Sequence, residues 1–409
     1  METTRRRFLG TTGIAATALF APGILRNAQA ADPILVGSLH DQSGPLAANG
    51  IPMVEALKLG IGEINAKGGL LGRELKLIHY DPQSDNQIYT QYAQQIAVRD
   101  KANVVFGGIT SSSREAIRPV FSRFKTLYFY GSLYEGGVCD RNTFCTGTTP
   151  AQTVQKLVPF AMENSGKKVY IVGADYNFGQ ISAKWMQKFV RDNGGETLAV
   201  EFFPLDVNNF GATISKIQAA KPDLVLSVLV GGNHISFYRQ WTAAGMKGQI
   251  PIASSSFGLY NEPQVLDQAE TEGVYGTFGY FEELETDANK QFVSKLKAQM
   301  PAIPYLSETA ATSYEGLYLW AKAVEKAGTV DRVPVIEALE SGISFDGPSG
   351  KVTIDHQTHH TIRNTFLAQV KDRKWNVIKS YPDAKPEDTA SVCNLIENPN
   401  ENKQFEISL

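Results

Sequence analysis

Beyond residue 30, short apolar runs alternate with longer stretches whose apolar positions recur three and four apart, the rhythm of strands followed by amphipathic helices. Residues 34–39, 75–80, 103–106 and 127–130 read as strands. Helices are predicted over 54–65, 87–99 and 114–124. Ala66-Lys67-Gly68-Gly69 closes the first of these with the glycines that helix C-termini favour. Regular alternation of strand and helix requires crossover connections, and therefore a parallel sheet with helices on both faces. Residues 31–149 are thus expected to form a doubly wound α/β lobe.

After a turn-rich segment, 131–150, the same rhythm begins again. Helices are predicted over 154–162, 180–192, 213–219 and 235–243, and strands over 169–172, 198–203, 224–229, 251–253 and 274–281. A second lobe of the same kind follows. Residues 290–299 and 309–327 read as helices, while 350–354, 365–370 and 375–380 resemble antiparallel ribbons that both lobes can share. The expected division is 31–149 plus 282–341 for the first lobe and 150–281 plus 342–409 for the second. Two parallel sheets side by side bring the carboxyl ends of their strands to a common cleft, where open α/β sheets bind ligands.

Composition adds the setting. Thr4-Arg5-Arg6-Arg7-Phe8-Leu9, a short apolar stretch and Ala28-Gln29-Ala30 follow the order of a twin-arginine export signal with cleavage after Ala30. Residues 10–20 are too short to span a bilayer, which takes ~20 apolar residues. Export to the periplasm, with no membrane insertion after cleavage, is expected. Taking the four arginines and one glutamate of residues 1–30 from 39 basic and 42 acidic residues leaves 35 against 41, a net charge of −6. A mildly acidic chain without basic, aromatic-studded patches argues against nucleic acid as a partner.

Of the three cysteines, Cys139 and Cys145 bracket a polar turn. Their spacing permits a loop disulfide in an oxidising compartment and equally fits two reduced thiols; Cys393 is left over without a histidine partner. His356, His359 and His360 match no metal-binding helix motif, so a solvated turn is expected, with no metal and no cofactor. None of the common hydrolase, phosphate-loop or metalloprotease motifs occurs, so an enzyme is not expected.

Ile64-Asn65-Ala66-Lys67-Gly68-Gly69-Leu70-Leu71-Gly72-Arg73, then Asp81, and Phe345-Asp346-Gly347-Pro348-Ser349-Gly350 after a helix at 310–328, resemble the periplasmic binding proteins of branched-chain amino acid type ABC transporters. Leu39-His40-Asp41-Gln42-Ser43-Gly44 and Tyr134-Glu135-Gly136, with Asn142-Thr143-Phe144 and Thr146-Gly147, look like the branch that takes urea and short-chain amides. The resemblance implies a type I periplasmic binding protein, two lobes joined by a hinge with the ligand cleft between them. It also implies a small polar solute as ligand and a membrane permease as partner. An amino acid cargo is the alternative, and an amide sensor acting on a protein partner is another.

Within that resemblance, Ser111 lies where the third strand passes into a helix, whose free backbone amides can receive a carbonyl or carboxylate. Ser112 and Glu115 have the spacing of a capping box. Tyr130 and Ser132 at the next strand end, with Tyr134 and Glu135 in the loop beyond, are expected to supply aromatic walls and an acceptor to the ligand. Tyr176 sits at the equivalent switch point of the second lobe, where it would touch ligand only on closure; Asp175 beside it is expected to cap a helix, and Gly231-Gly232-Asn233 to form a turn.

Overall fold

A computed structural model describes residues 32–259 and 261–407. The twin-arginine segment lies outside the described residues.

The first lobe is built on a five-stranded sheet of order β2-β1-β3-β4-β6, formed by β1 (Ile34–Leu39), β2 (Leu75–Tyr80), β3 (Val104–Gly107), β4 (Leu127–Tyr130) and β6 (Thr143–Cys145), all parallel; the short β5 (Val138–Asp140) stands apart from it. Alternate side chains of one strand leave for opposite faces, and the sequence obeys that period. Val104 and Phe106 enter one core with Leu127 and Phe129, while Val105 enters the other with Tyr128 and Tyr130. Helix Ala47–Ala66 and helix Glu308–Ala327 cover the first face; helices Asn86–Gln94 and Ser111–Phe124 cover the second.

The second lobe repeats the plan. Its parallel strands run β11-β10-β9-β7-β8, from β7 (Lys168–Ala174), β8 (Glu196–Phe203), β9 (Leu224–Val228), β10 (Ile252–Ser254) and β11 (Tyr275–Phe278). The sheet continues antiparallel through β12 (Ser344–Gly347), β13 (Gly350–Ile354), β14 (Thr361–Lys371) and β15 (Lys374–Ala384).

Two expectations about the tail need correction. Phe345, Val352 and Ile354 pack into the first-lobe core, so β12 and β13 belong with that lobe although 342 was expected to begin the second. Phe366 and Val370 of the next strand then enter the second-lobe core. The terminal strand β16 (Asn402–Gln404) also returns to the first lobe, pairing antiparallel with β5. Alternation shows that a segment is a strand, but says nothing about which distant face accepts it.

The disulfide joins Cys139 to Cys393, 254 residues apart, and not to Cys145. Cys139 and Cys393 share a small cluster with Leu395. Cys145 instead turns into the core beside Tyr130 and Tyr134, where burial pushes its thiol up to about 12.

The chain crosses between lobes near 146–149, 279–282 and 355–361, and buried ionic groups tie these passages together. Glu308 accepts hydrogen bonds from the Thr148 amide (3.0 Å) and from the Gly279 amide (2.6 Å). Arg363 donates to the Thr146 carbonyl (2.7 Å) and to Glu315 (2.9 Å). A buried carboxylate or guanidinium is tolerable only when it is paired, so these contacts hold the passages in register.

Candidate functional site in the cleft

At the end of β3 the chain must turn sharply away from the sheet. Gly108 does so with φ of +79°, and a side chain there would meet the Tyr128 hydroxyl at 3.0 Å. Thr110 then caps helix Ser111–Phe124, its Oγ1 accepting from the Ser113 amide at 3.1 Å, while Ser113 Oγ accepts from the Ile109 amide at 3.1 Å. The expected capping box of Ser112 and Glu115 is therefore not the cap. Glu115 binds Arg114 and Arg118 instead, because two guanidiniums on the same helix outbid a backbone amide for its charge.

This helix start opens on a small cavity of about 20 Å³ that is partly open to solvent. The first lobe lines it with Asn49, Ile109, Ser111, Tyr130, Ser132 and Thr309, the second with Tyr176, Phe178, Val230 and Leu259, and Leu133 stands between them. Four expected residues, Ser111, Tyr130, Ser132 and Tyr176, are thus gathered at one place. None of the described lining side chains carries a charge at neutral pH.

The hydrogen-bonding capacity left at the cavity is specific. The Tyr130 hydroxyl donates to the Ile109 carbonyl at 2.9 Å, so this residue contributes its ring, and burial holds its phenol well above the ordinary range. Ser111 Oγ donates to Glu135, which leaves that oxygen as an acceptor. Ser132 Oγ is buried without a hydrogen-bond partner among the described residues. Thr309 Oγ1 donates to Asn49 Oδ1 at 2.5 Å, leaving the Asn49 amide nitrogen as donor.

Tyr134 and Glu135 stand behind the wall, against expectation. Arg114 is fully buried, and such a cation demands a carboxylate: Glu135 takes a bond from its Nη2 at 2.9 Å. Burial works against the Arg114 charge, but the carboxylates of Glu135 and Glu115 more than offset it, and the guanidinium stays charged well beyond the usual range. Arg114 also lies 5.0 Å over the Tyr130 ring and 4.5 Å over the Tyr134 ring. The Tyr134 hydroxyl bonds to His360 Nε2 and accepts from the Val138 amide at 3.2 Å. Neither residue lines the cavity.

Other expectations fall outside the cavity. Tyr176, not Asp175, occupies the cap position of helix Asn177–Asp192, and Asp175 accepts from Gln180 at 2.8 Å. Asn233 anchors a neighbouring loop through the Val207 carbonyl (2.6 Å), and it is the preceding Val230 that reaches the cavity. His359 and His360 are buried, contrary to a solvated turn; His359 stacks on Phe144 at 4.2 Å and bonds to Glu340 at 3.1 Å, while His356 is exposed. Among the described residues no group of His, Cys, Asp and Glu side chains is placed to hold a metal ion.

Asn49 and Thr309 escaped sequence reasoning. Asn49 lies in the otherwise apolar buried stripe of its helix, at 2 % exposure, and a polar residue in such a stripe is the signal that could have marked it.

Two doubly wound lobes meeting over a cavity whose described lining is uncharged define a two-lobed binding protein. Residues 33–374 match the family model described as periplasmic binding protein, and the chain belongs to that family. Its curated relatives include the Leu/Ile/Val-binding protein homolog 6 of Brucella melitensis, 24 % identical over 365 residues that cover 87 % of this chain and 92 % of the relative. Among solved structures, the solute binding protein of an ABC transporter from Rhodopseudomonas palustris BisB5, in complex with 3,4-dihydroxybenzoic acid, superposes with a TM-score of 0.79 at 22 % identity, covering 87 % of this chain and 99 % of that one. A leucine binding protein from Thermotoga maritima MSB8 gives 0.75 at 19 % identity, with coverages of 87 % and 99 %. Among the described residues no helix is long and apolar enough to cross a membrane.

Proposed function

We propose that this protein is exported to the periplasm by its twin-arginine segment, captures an uncharged solute of the urea or short-chain amide class between its lobes, and delivers it to the permease of an ABC transporter. The observation that carries the ligand class is the absence of charge from the described cavity lining. An amino acid would bring an ammonium group among these mostly buried lining residues, and with no carboxylate facing it in the described lining the desolvation cost would go uncompensated. An amide presents one carbonyl acceptor and an NH₂ donor. Asn49 can serve the former, and Ser111 and Ser132 the latter. Family membership supports the receptor role.

A carboxylate ligand is the competing reading, favoured by the start of helix Ser111–Phe124 at the cavity and by the dihydroxybenzoate bound to the Rhodopseudomonas palustris relative in fold. A thermal-shift screen of the protein lacking residues 1–30 separates the two, because a ligand that binds only the folded state raises Tm. Urea or acetamide should raise it. A shift with leucine or 4-hydroxybenzoate, and none with either amide, would overturn the ligand assignment.

A further inference from the structure

The family match ends at residue 374, yet the chain beyond it returns to the first lobe and reaches the back of the cavity wall. Strand β16 pairs with β5, with Lys403 opposite Cys139, and Cys393 is bonded to that same cysteine. The Phe405 amide donates to the Gly137 carbonyl at 2.8 Å, and Thr389 Oγ1 accepts from the Gly137 amide at 3.0 Å. The loop that carries Glu135 is therefore clasped on both sides by the tail.

Gln404 is the tail residue that enters the charged network. Its Oε1 accepts from Arg114 Nη2 at 2.9 Å, and its Nε2 donates to Glu135 and, at 3.1 Å, to the Gly136 carbonyl. Glu135 in turn accepts from Ser111 Oγ, whose residue lines the cavity. Glu135 thus receives a hydroxyl from the cavity wall, a guanidinium from the helix and an amide from the tail. The second lobe joins through Trp185, whose indole donates to the Glu135 carbonyl at 3.0 Å.

We propose that Gln404 is a positioning residue for the binding cavity: from outside the pocket it holds the Glu135 carboxylate where that group orients Ser111 Oγ and pairs with Arg114. The function in binding rests on the cavity reading above; the mechanical link does not. An amide suits this position because it can accept from the guanidinium and donate to the carboxylate at once. A carboxylate at 404 would keep the first bond and oppose the second.

The test is hydrogen exchange of the ligand-free protein, followed in peptides covering 108–116 and 132–140, for wild type, Gln404→Glu, Gln404→Met and the exchanged pair Gln404→Glu with Glu135→Gln. Either single substitution should speed exchange in both segments by tenfold or more, and the exchanged pair, which restores one amide facing one carboxylate, should recover most of the protection. Unchanged exchange at 108–116 in both single variants would overturn the proposal, since the tail would then secure only the strand it pairs with. If Gln404→Glu fails to fold, Gln404→Met decides alone. Titration with acetamide should show about tenfold weaker binding in the single variants. If the wild type ignores acetamide, the ligand reading fails while the exchange data still judge Gln404.

Discussion

The first lobe meets the cavity with Asn49, Ser111, Ser132 and Thr309 beside Ile109 and Tyr130, whereas the second meets it mainly with Phe178, Val230 and Leu259 beside Tyr176. Behind the first wall stands a charged and aromatic network, Arg114 with Glu135, Glu115, Tyr130 and Tyr134. Behind the second lies a small apolar cluster of Ala174, Phe178 and Val230. Polar contacts demand fixed geometry to repay desolvation, while apolar burial is non-directional. One lobe is thereby suited to recognise the solute and the other to close over it, which is a workable division for a hinged receptor.

Acid should break this contrast most strongly. His40 and His234 are held down to about 3 and His360 to about 4, in each case chiefly by burial, and His79 and His359 are lowered for the same first cause. A histidine with a depressed folded value leaves stability intact above its unfolded value near 6.5 and withdraws it as pH falls below, because the unfolded chain binds the proton first. At pH 5 each of the three strongly shifted groups should cost on the order of 2 kcal/mol. Asp388, raised to about 6 by burial, works the other way in the same window, but it is one group against several. Calorimetry should find Tm falling steeply between pH 7 and pH 5. Four of these five histidines belong to or border the first lobe, so hydrogen exchange at pH 5 should rise there first; faster exchange in the second lobe would undo the contrast.

Removing Glu135 tests the network itself. Glu135→Ala leaves the Arg114 cation buried opposite no carboxylate at that end, and should cost about 3–5 kcal/mol in denaturant unfolding. A loss below about 1 kcal/mol would show that Glu115 alone satisfies Arg114. His359→Ala, which removes a ring stacked on Phe144 and bonded to Glu340, should also destabilise the fold, by about 2 kcal/mol, and leave affinity unchanged.

Smaller effects should separate the two walls by their kinetics. Ser132→Ala removes a buried hydroxyl that has no described protein partner, so binding should weaken by about 1–3 kcal/mol while stability holds or improves. Tyr176→Ala, on the expectation that this ring touches ligand only after closure, should weaken binding by about 1 kcal/mol through faster dissociation, with association unchanged. Equal effects of both on association, read by stopped-flow fluorescence, would erase the distinction.

Much of the fold was legible because it is written locally. The bounds expected for 34–39, 75–80 and 127–130 are those of β1, β2 and β4; β1 and β4 are buried parallel strands that read as compact apolar runs, while β2 is a part-buried edge strand. The placement of Ser111, Tyr130, Ser132 and Tyr176 at one cavity followed from a topological rule, that ligands gather at the carboxyl ends of parallel strands. What could not be read depends on partners far along the chain. Glu135 looked like a free acceptor until Arg114 and Gln404 met it, and Cys139 looked closest to Cys145 until the tail brought Cys393 to it. The histidines looked solvated in a polar stretch; the face of Phe144 and the hydroxyl of Tyr134 that cover them are contributed by a segment more than two hundred residues earlier.

The central claim is that an uncharged cavity selects an uncharged solute, and the most direct test is calorimetric titration with acetamide and acetate, two molecules of nearly one shape that differ in charge. With no cationic side chain in the described lining, acetamide should bind at least tenfold more tightly than acetate at pH 7. Tighter binding of acetate would contradict the account and give the cavity to carboxylates held at the start of helix Ser111–Phe124.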